Sequence, residues 1–485
     1  MHVDILIIGA GVIGCALARE LSRYEASVAV VERMSDVAEG ASKANSGIVH
    51  AGFDAKSGSL KARLNVEGAR MYPALCEELG APYAQPGALV LGFEQDDAIT
   101  LKELYDQGIK NGVPGLKLLN REQVLKLEPN TNPGVIGALL AETSGLTSPY
   151  ELSFALADHA AQNGVSFYFE TQVQSIFRKE DRWHVITNRG EYTAQAVMNC
   201  AGIQSAKLHN QVSQRQYTII PRRGEYYLMD RMAHLPFART MFQCPTKMGK
   251  GILVSPTVHG NLLLGPSAED IDDEADTATT AMGLQAVLDK AKLTWKNASP
   301  RGTITTFSGI RAHESSGDFV IGQAEDAPFL FEALGIESPG LSAAPAIAKM
   351  LGGQVAAALK LYEKAIYLPA IKRPKSFHAM DLAEKARAVS ENPENGSLVC
   401  RCEQVTEAEI RDAIRRPVGA RTIDGVKRRT RAGMGRCQGG FCSPRVLAIL
   451  SEELHIEKTK VTKCGGESCL LVGTIADAAG EESLS

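Results

Sequence analysis

The first forty residues place the strongest constraint on how this chain can fold. A short apolar run, Asp4–Ile8, leads into a turn that holds Gly9, Gly11 and Gly14; a helical pattern and a second apolar run ending at Glu32 follow. In a strand–turn–helix–strand unit, Gly9 allows a tight turn, Gly11 admits a pyrophosphate at the helix N-terminus, and Gly14 lets helix and strand pack closely. Glu32 can accept hydrogen bonds from ribose hydroxyls. The unit therefore predicts an α/β, Rossmann-like domain that binds a dinucleotide.

Length and charge narrow the range of functions. The chain has 485 residues, 44% of them hydrophobic and 22% charged, a composition typical of a globular protein with about three domains. Its net charge of −4 gives no electrostatic support for nucleic-acid binding. No apolar run reaches roughly 18 residues, so no transmembrane helix is expected. The N-terminus lacks a basic signal segment, and we expect a cytoplasmic protein.

A single predicted dinucleotide-binding unit favours a protein that binds FAD alone over a reductase that binds two dinucleotides. No second glycine motif occurs in the same strand–turn–helix context, whereas a reductase with two dinucleotides would need one. Residues 41–52 are small and mostly polar, so they can wrap a flat, multi-ring cofactor. This loop resembles the segment beside the isoalloxazine in FAD-dependent oxidoreductases of the D-amino-acid-oxidase type.

The resemblance to these oxidoreductases covers about residues 1–370, including the segments 197–202, 221–227, 308–311 and 335–341. Within the family, the L-2-hydroxyglutarate oxidases and the FAD subunit of anaerobic glycerol-3-phosphate dehydrogenases are most similar. The FAD contacts implied by the motifs are Gly9, Gly11, Gly14, Glu32, Arg33, Ser42, Asn45, Ser46, Gly47, Val173, Ala201, Gly202, Gly309, Gly335, Ile336, Gly340, Leu341 and Ser342. The apolar helix predicted after Gly340 can point its positive end at the flavin and stabilise the anion formed on reduction.

The same resemblance implies catalytic residues. Arg311 matches the arginine that holds the substrate anion, since a guanidinium can bind a carboxylate or phosphate in bidentate fashion. His50 can take the hydroxyl proton as hydride leaves for the flavin. Tyr226 and Lys61 are further candidates, as is His313. The alternatives are a structural ion pair for Arg311, a buried structural histidine for His50 and a solvated helix face for Lys61.

The C-terminal part carries six of the ten cysteines. Cys400 and Cys402 form a C-x-C pair, and Cys437 and Cys442 form a C-x₄-C pair, whereas zinc knuckles generally use C-x₂-C pairs. The pattern resembles the bacterioferritin-associated-ferredoxin-like domain, in which four thiolates bind a 2Fe–2S cluster. Zinc is the alternative metal, because a set of thiolates can hold either.

Between the two cysteine pairs, residues 411–436 hold nine Lys or Arg and two Asp, a charge that can offset an anionic cluster. A solvated face or an RNA-binding patch is the alternative interpretation of this run. Cys464 and Cys469 lie outside the resemblance; they either belong to a second centre at a subunit interface or are spare thiols.

The predicted architecture is an α/β FAD-binding domain, an inserted α+β substrate domain with an antiparallel sheet, and a small iron–sulfur domain. The predicted boundaries are 1–82, 146–214 and 306–371 for the FAD domain, 83–145 and 215–305 for the substrate domain, 372–396 for a linker and 397–485 for the 2Fe–2S domain.

These features predict an FAD-dependent dehydrogenase that oxidises an anionic secondary alcohol and passes electrons through the cluster to a partner. The favoured substrate is sn-glycerol 3-phosphate, oxidised to dihydroxyacetone phosphate. The alternatives are L-2-hydroxyglutarate or another 2-hydroxy acid, an amine or amino acid, and a noncatalytic electron-transfer subunit; Arg311 argues against the last, because a relay needs no anion clamp. Partners of the kind implied are an NAD-linked flavoprotein or a small iron–sulfur subunit, with any membrane association arising through a partner.

Overall fold

The computed structural model describes residues 1–232, 234–245 and 251–473. Its strands are β1 His2–Ile8, β2 Val28–Val31, β3 Ile48–Val49, β4 Tyr83–Ala84, β5 Ala88–Gly92, β6 Leu116–Asn120, β7 Gly137–Ala141, β8 Gly145–Thr147, β9 Ser166–Tyr168, β10 Val173–Lys179, β11 Arg182–Thr187, β12 Gly190–Asn199, β13 Ile219–Met229, β14 Thr240–Gln243, β15 Leu253–Pro256, β16 Leu262–Gly265, β17 Glu269–Asp270, β18 Thr303–Glu314, β19 Val320–Gln323, β20 Leu330–Leu334, β21 Leu398–Cys400 and β22 Val405–Thr406. Its helices are α1 Val12–Leu21, α2 Leu60–Leu79, α3 Asp97–Lys110, α4 Arg121–Leu127, α5 Pro149–Gln162, α6 Ser205–His209, α7 Ala281–Thr294, α8 Gly340–Leu359, α9 Leu382–Glu391, α10 Glu407–Arg415, α11 Ile423–Thr430 and α12 Ser443–Leu454.

The first sheet has a parallel centre and antiparallel edges. Strands β12, β1, β2 and β9 are parallel neighbours, and β20 is parallel to β12. The pair β10–β11 continues the sheet from β12, and β19 flanks β20, in each case antiparallel. Helix α1 joins β1 to β2 and packs with α5 and α8 over a core of buried aliphatic residues. This is the Rossmann-like domain that the first forty residues predict.

The second sheet follows the order β17-β13-β16-β15-β14-β5-β7-β6, and β18 also pairs with β13. It is antiparallel except where β14 lies parallel to β5, from Thr240 opposite Ala88 to Gln243 opposite Leu91. The predicted antiparallel sheet is confirmed, and one parallel pair within it joins the two sequence segments of the substrate domain. A small, three-stranded sheet has the order β3-β8-β4.

One predicted boundary differs from the structure. Strand β18 pairs with β13 along its whole length, from Glu314 opposite Ile219 to Thr303 opposite Met229. Residues 306–314, which the sequence assigns to the FAD domain, therefore form part of the substrate sheet. The pairing of two strands about 80 residues apart decides this position, and a local sequence pattern does not record it.

The C-terminal part folds on its own small core. Helices α10, α11 and α12 pack together, and the hairpin β21–β22 precedes them. The predicted linker 372–396 is not a featureless connection, because α9 lies within it and begins with a capping box made by Asp381 and Glu384. Residues 474–485 of the predicted 397–485 domain lie outside the described residues. In the described part of the chain, no helix combines the length and the apolar character that a membrane span requires.

Buried ion pairs join the C-terminal part to the Rossmann-like domain. The guanidinium of Arg429 donates to both oxygens of Asp36, at 2.6 and 2.7 Å, and lies 3.8 Å from the centre of the Phe154 ring. Arg428 bonds to Asp36 at 3.2 Å and pairs with Glu39. Two arginines of the basic run therefore pair with carboxylates of the Rossmann-like domain. The offset of the cluster charge by this run stays a prediction.

Candidate active site

A single cavity of about 1620 Å³ runs between the two large sheets and reaches the C-terminal domain. Ligand pockets commonly measure roughly 300–1,000 Å³, so this one has room for a dinucleotide and a small substrate together. Three kinds of wall enclose it: the glycine turn after β1, one face of β13 and β18, and the side of α11 with the loop that follows.

The glycine turn forms the nucleotide end of the cavity. Gly9 has φ +101°, and Gly11, the N-cap of α1, has no side chain, so the positive end of the helix lies at the cavity wall. A Cβ on Gly14 would overlap the carbonyl oxygen of Gly9, so Gly14 serves helix packing and does not line the cavity. The tight turn at Gly9 and the close packing at Gly14 agree with the sequence pattern, and the pyrophosphate contact at Gly11 stays a prediction.

Glu32 lines the cavity, but its carboxylate also braces the turn. It accepts hydrogen bonds from the N–H of Ala10 at 2.8 Å and of Met34 at 2.9 Å. Burial raises the pKa of Glu32, and the two N–H donors oppose that rise. The predicted acceptor for ribose hydroxyls is thus also a structural residue of the turn.

The small polar loop is fixed against its surroundings. Ser42 Oγ accepts a hydrogen bond from Val12 N at 2.9 Å, and Asn45 Oδ1 accepts one from Gly47 N at 2.8 Å. A Cβ on Gly309 would overlap the carbonyl oxygen of Ala44, so β18 and the loop are in backbone contact. The loop therefore forms a preformed wall along the length of the cavity.

Helix α8 closes the opposite wall. Ser342 Oγ accepts a hydrogen bond from His50 N at 2.8 Å, and the Tyr72 hydroxyl donates to Leu341 O at 2.5 Å. Gly335 does not line the cavity; its φ of +67° shapes the turn beside Glu314. The remaining predicted FAD contacts that line the cavity are Arg33, Ser46, Val173, Ala201, Gly202, Ile336 and Gly340.

The substrate sheet presents one cavity-facing row from β13 and one from β18. Arg222, Gly224 and Tyr226 lie opposite Arg311, Gly309 and Phe307, respectively, and alternate residues of a strand share a face. The rings of Tyr226 and Phe307 stack with centres 4.8 Å apart. Because each row carries one arginine and one aromatic ring, this face suits a small anion.

Arg311 extends across the neighbouring strand. Its guanidinium donates to Ser267 O at 2.7 Å, and a Cβ on Gly224 would overlap one of its nitrogens. Arg222 is held by Asp270, with contacts of 2.5 and 3.0 Å. Arg311 thus lines the cavity with a neutral carbonyl as its hydrogen-bond partner, whereas Arg222 is paired with a carboxylate.

Of the other predicted catalytic residues, His50 and Lys61 also line the cavity, whereas His313 does not. The ring centre of His50 lies 5.6 Å from that of Phe242. Lys61 Nζ contacts Glu337 at 2.8 Å, and His313 Nδ1 contacts the same oxygen at 3.0 Å. Burial would raise the pKa of Glu337, but Lys61 and His313 outweigh it and the pKa lies below its usual value. The alternative interpretation of Lys61, a side chain on a solvated helix face, is wrong, because that side chain is only 13% exposed.

Several cavity residues escape sequence reasoning. His259 shares a 2.7 Å hydrogen bond with Glu151, and burial of that carboxyl is outweighed by His259 and Arg373, so its pKa is lowered. No local motif marks His259, which lies on the turn between β15 and β16. Residues from the C-terminal domain also line the cavity, and no spacing in the sequence relates them to the glycine turn; they are Asp424, Lys427, Arg428, Arg431, Met434 and Gln438.

The four predicted metal-binding cysteines lie together. Cys400 and Cys402 sulfurs are 3.8 Å apart, and those of Cys402 and Cys437 are 3.7 Å apart. A hydrogen bond from the Cys442 thiol lowers the pKa of Cys400 to about 5, while burial and Cys400 raise that of Cys402 to about 11. Thiols this close share protons and provide a soft donor set for iron. Within the described ranges, no group of three His, Cys, Asp or Glu forms a site for a single ion.

Cys464 and Cys469 are exposed, and they follow the four clustered cysteines in the sequence. Cys464 O accepts a hydrogen bond from Ser35 Oγ at 2.8 Å. Cys469 and Thr462 pair through their backbones in an isolated antiparallel β-bridge. Their predicted part in a second centre stays a prediction.

The sequence of residues 4–354 matches the family of FAD dependent oxidoreductases. The chain belongs to this family. Residues 398–452 match the BFD-like [2Fe-2S] binding domain, so FAD and a 2Fe–2S cluster are its cofactors. The glycine turn at the start of α1 and the small-residue wall fit FAD, and the four adjacent thiols fit the cluster.

Three similar proteins extend the comparison. A glycerol 3-phosphate dehydrogenase of Caloramator mitchellensis is 46% identical over 471 residues, 97% of this chain and 98% of that protein. The dithionite-reduced L-alpha-glycerophosphate oxidase of Mycoplasma pneumoniae with FAD bound has a TM-score of 0.73 at 30% identity, covering 77% of this chain and 100% of the other. A mitochondrial L-2-hydroxyglutarate dehydrogenase of Bos taurus is 30% identical over 282 residues, 55% of this chain and 60% of that protein.

Proposed function

We propose that this oxidoreductase converts sn-glycerol 3-phosphate to dihydroxyacetone phosphate and delivers the electrons through its 2Fe–2S cluster to a partner protein. The observation that carries the proposal is a single cavity bounded by the dinucleotide turn, an arginine-bearing strand face and the cluster domain. The near full-length similarity to a glycerol 3-phosphate dehydrogenase supports the choice of substrate.

The strand face is proposed to hold the phosphate. Arg311 has a neutral carbonyl as its hydrogen-bond partner, so its positive charge is available to an anion in a part-buried site. A charge-assisted, bidentate contact to phosphate would fix the distance between the phosphate and the carbon that is oxidised. The stacked rings of Tyr226 and Phe307 would pack against the carbon chain and exclude water.

His50 is proposed to accept the proton of the substrate hydroxyl. The Ser342 hydroxyl and helix α8 hold its backbone, and its ring lies at the wall formed by Phe242. When bound, FAD supplies a two-electron acceptor for the hydride. Lys61, paired with Glu337, is proposed to orient the start of α2 and the turn before α8 rather than to exchange protons.

The cluster domain is proposed to take electrons directly from this cavity. Met434 and Gln438 line the cavity and flank Cys437 in the chain, so a proposed cluster ligand lies one residue from the cavity wall. The Tyr150 hydroxyl contacts Met434 Sδ at 3.7 Å, which packs the two domains together at this point. All ten cysteines are free thiols, which fits a reducing compartment such as the cytoplasm.

Anaerobic substrate screening tests the proposal. The holoenzyme is mixed with glycerol 3-phosphate, L-2-hydroxyglutarate or glycine, and the flavin absorbance and the electron paramagnetic resonance signal of the reduced cluster are followed. Glycerol 3-phosphate should bleach the flavin and produce the cluster signal. Bleaching by L-2-hydroxyglutarate but not by glycerol phosphate would replace the substrate, and bleaching by none of the panel would favour a noncatalytic relay.

A further inference from the structure

Phe441 is an aromatic side chain held in the open beside the cluster thiols. It is 86% exposed and lies in the loop between Cys437 and Cys442. The backbone on both sides of Phe441 is hydrogen-bonded, because Gly440 N donates to Cys437 O at 2.9 Å and Ser443 N donates to Gly439 O at 3.0 Å. The backbone is therefore held in place even though the ring is exposed. A fixed, exposed aromatic ring gains nothing from burial within this chain, and aromatic residues are enriched at protein–protein interfaces.

Three arginines lie close to the clustered cysteines in the sequence, as Phe441 does. Arg401 lies between Cys400 and Cys402 and is exposed. Arg436 precedes Cys437 and is 75% exposed, whereas its partner Asp230 is 26% exposed. Arg445, in the first turn of α12, is 49% exposed against 21% for its partner Glu407.

The charge turned toward solvent here is therefore positive, although the whole chain carries −4. A cationic rim around an aromatic centre favours a protein partner of opposite charge and speeds its association. Every residue of this surface lies within three positions of a proposed cluster ligand, so a partner bound here would approach the cluster closely.

We propose that Phe441, Arg401, Arg436 and Arg445 form an acceptor surface that docks an acidic one-electron carrier protein. The inference rests on the proposed function and adds to it the chemistry and the docking position of the partner. One molecule of secondary alcohol oxidised to the ketone releases two electrons and two protons. Two oxidised carriers take one electron each in successive encounters, and the protons pass to solvent.

The test uses the holoenzyme, reduced with dithionite and desalted without oxygen, so that it does not depend on any substrate. Oxidised rubredoxin, a small acidic iron protein, is the probe, and its bleaching is followed in a stopped-flow instrument. Phe441→Ala should lower the second-order rate about tenfold, as for a central interface residue. Met282→Ala is the matched control, because Met282 is equally exposed, at 86%, on α7 of the substrate sheet.

Charge and specificity are tested with the same assay. The double variant Arg401→Glu/Arg436→Glu should slow rubredoxin reduction and remove its dependence on ionic strength. Reduction of a small neutral quinone should be unchanged in every variant, since it needs no docking surface. An unchanged rubredoxin rate in Phe441→Ala, or equal slowing with the quinone, would overturn the proposal. Faster reduction of basic cytochrome c than of rubredoxin would overturn the acidic partner.

The proposed function can fail while this inference stands. If glycerol 3-phosphate leaves the flavin oxidised but dithionite-reduced protein still loses electrons to rubredoxin through Phe441, then the substrate is wrong and the acceptor surface is right. If glycerol 3-phosphate reduces flavin and cluster normally in Phe441→Ala and rubredoxin reduction is also normal, then the reaction is right and the acceptor surface is wrong.

Discussion

The guanidinium of Arg311 is held by one carbonyl contact in a cavity wall, which makes it the residue whose loss is easiest to interpret. Arg311→Ala should raise the KM for glycerol 3-phosphate by roughly tenfold to a hundredfold, because a hydrogen bond to a charged group is removed. FAD content, measured by absorbance, should not change. Arg311→Lys should restore little, since an ammonium cannot replace the bidentate contact. A KM equal to that of the parent enzyme would remove Arg311 from the substrate site.

Gly224 matters because it has no side chain. A Cβ there would overlap the Arg311 guanidinium, so Gly224→Ala should displace that group and raise KM while leaving its charge in place. We expect about a tenfold increase, measured by initial rates with a dye acceptor. Gly353→Ala on α8 is the control, because no atom lies within 4 Å of the Cβ it would add. Equal kinetics for both variants would mean that Arg311 adapts freely and is not positioned by β13.

Two histidines line the cavity, and their roles can be separated. His50→Gln should lower kcat by roughly a hundredfold or more with little change in KM, the effect of losing a general base. His259→Gln should affect kcat less, because His259 is bonded to Glu151 next to the C-terminal domain. Steady-state rates with glycerol 3-phosphate provide the measurement. The reverse order of effects would transfer the proposed base from His50 to His259.

At the scale of single elements, α11 carries the contact between the C-terminal and FAD-binding domains. Burial would raise the pKa of Asp36, but Arg429 and Arg428 outweigh it, so the pKa lies below its ordinary value. The ion pairs therefore stabilise the fold fully above the ordinary carboxyl pKa of about 3.9 and lose that contribution as pH falls through the lowered pKa. Asp36→Asn should cost roughly 3–5 kcal/mol near neutral pH, since it leaves buried arginines without a counter-charge.

Thermal unfolding across pH checks this effect. The difference in melting temperature between Asp36→Asn and the parent protein should be large at pH 7 and shrink below about pH 4. Asp289→Asn, which changes an exposed pair with Lys292 on α7, should show no such difference at either pH. A difference for Asp36→Asn that is constant with pH would mean that shape, and not charge, holds the domains together.

The elements that the sequence predicts well are those whose causes are local. The turn between β1 and α1 needs its glycines within six positions, and the paired cysteines are close in the chain, so both are visible in the sequence. The pairing of β18 with β13 and the parallel contact of β14 with β5 join distant segments, which a periodic pattern does not specify. The arginines of α11 look the same in sequence whether they face solvent or bury against Asp36; only packing distinguishes them.

At the scale of the whole molecule, the cavity that would hold FAD is lined partly by residues of the C-terminal domain, whose four cysteines would hold the cluster. FAD would supply a hydride acceptor and the cluster a one-electron carrier, and residues of both domains meet at this wall. A family member without such a domain would have to use an acceptor that reaches the flavin directly. On the proposed function, the C-terminal domain provides the route to the electron acceptor, while β13 and β18 bind the substrate.

Cys437→Ser tests whether the cluster is needed for electron delivery but not for substrate oxidation. It replaces the proposed ligand that precedes Gln438, a residue of the cavity wall. The variant should lose the visible absorption and the paramagnetic signal of the 2Fe–2S cluster, since a hydroxyl is a poor substitute for a thiolate ligand of iron. Glycerol 3-phosphate should still bleach its flavin at the parent rate in a single turnover, because the substrate face is intact. Electron delivery to rubredoxin should fall to background. Cys244→Ser, a buried thiol in the substrate sheet, should keep both cofactors and both activities. A Cys437→Ser protein that retained full iron content and normal delivery would remove Cys437 from the cluster.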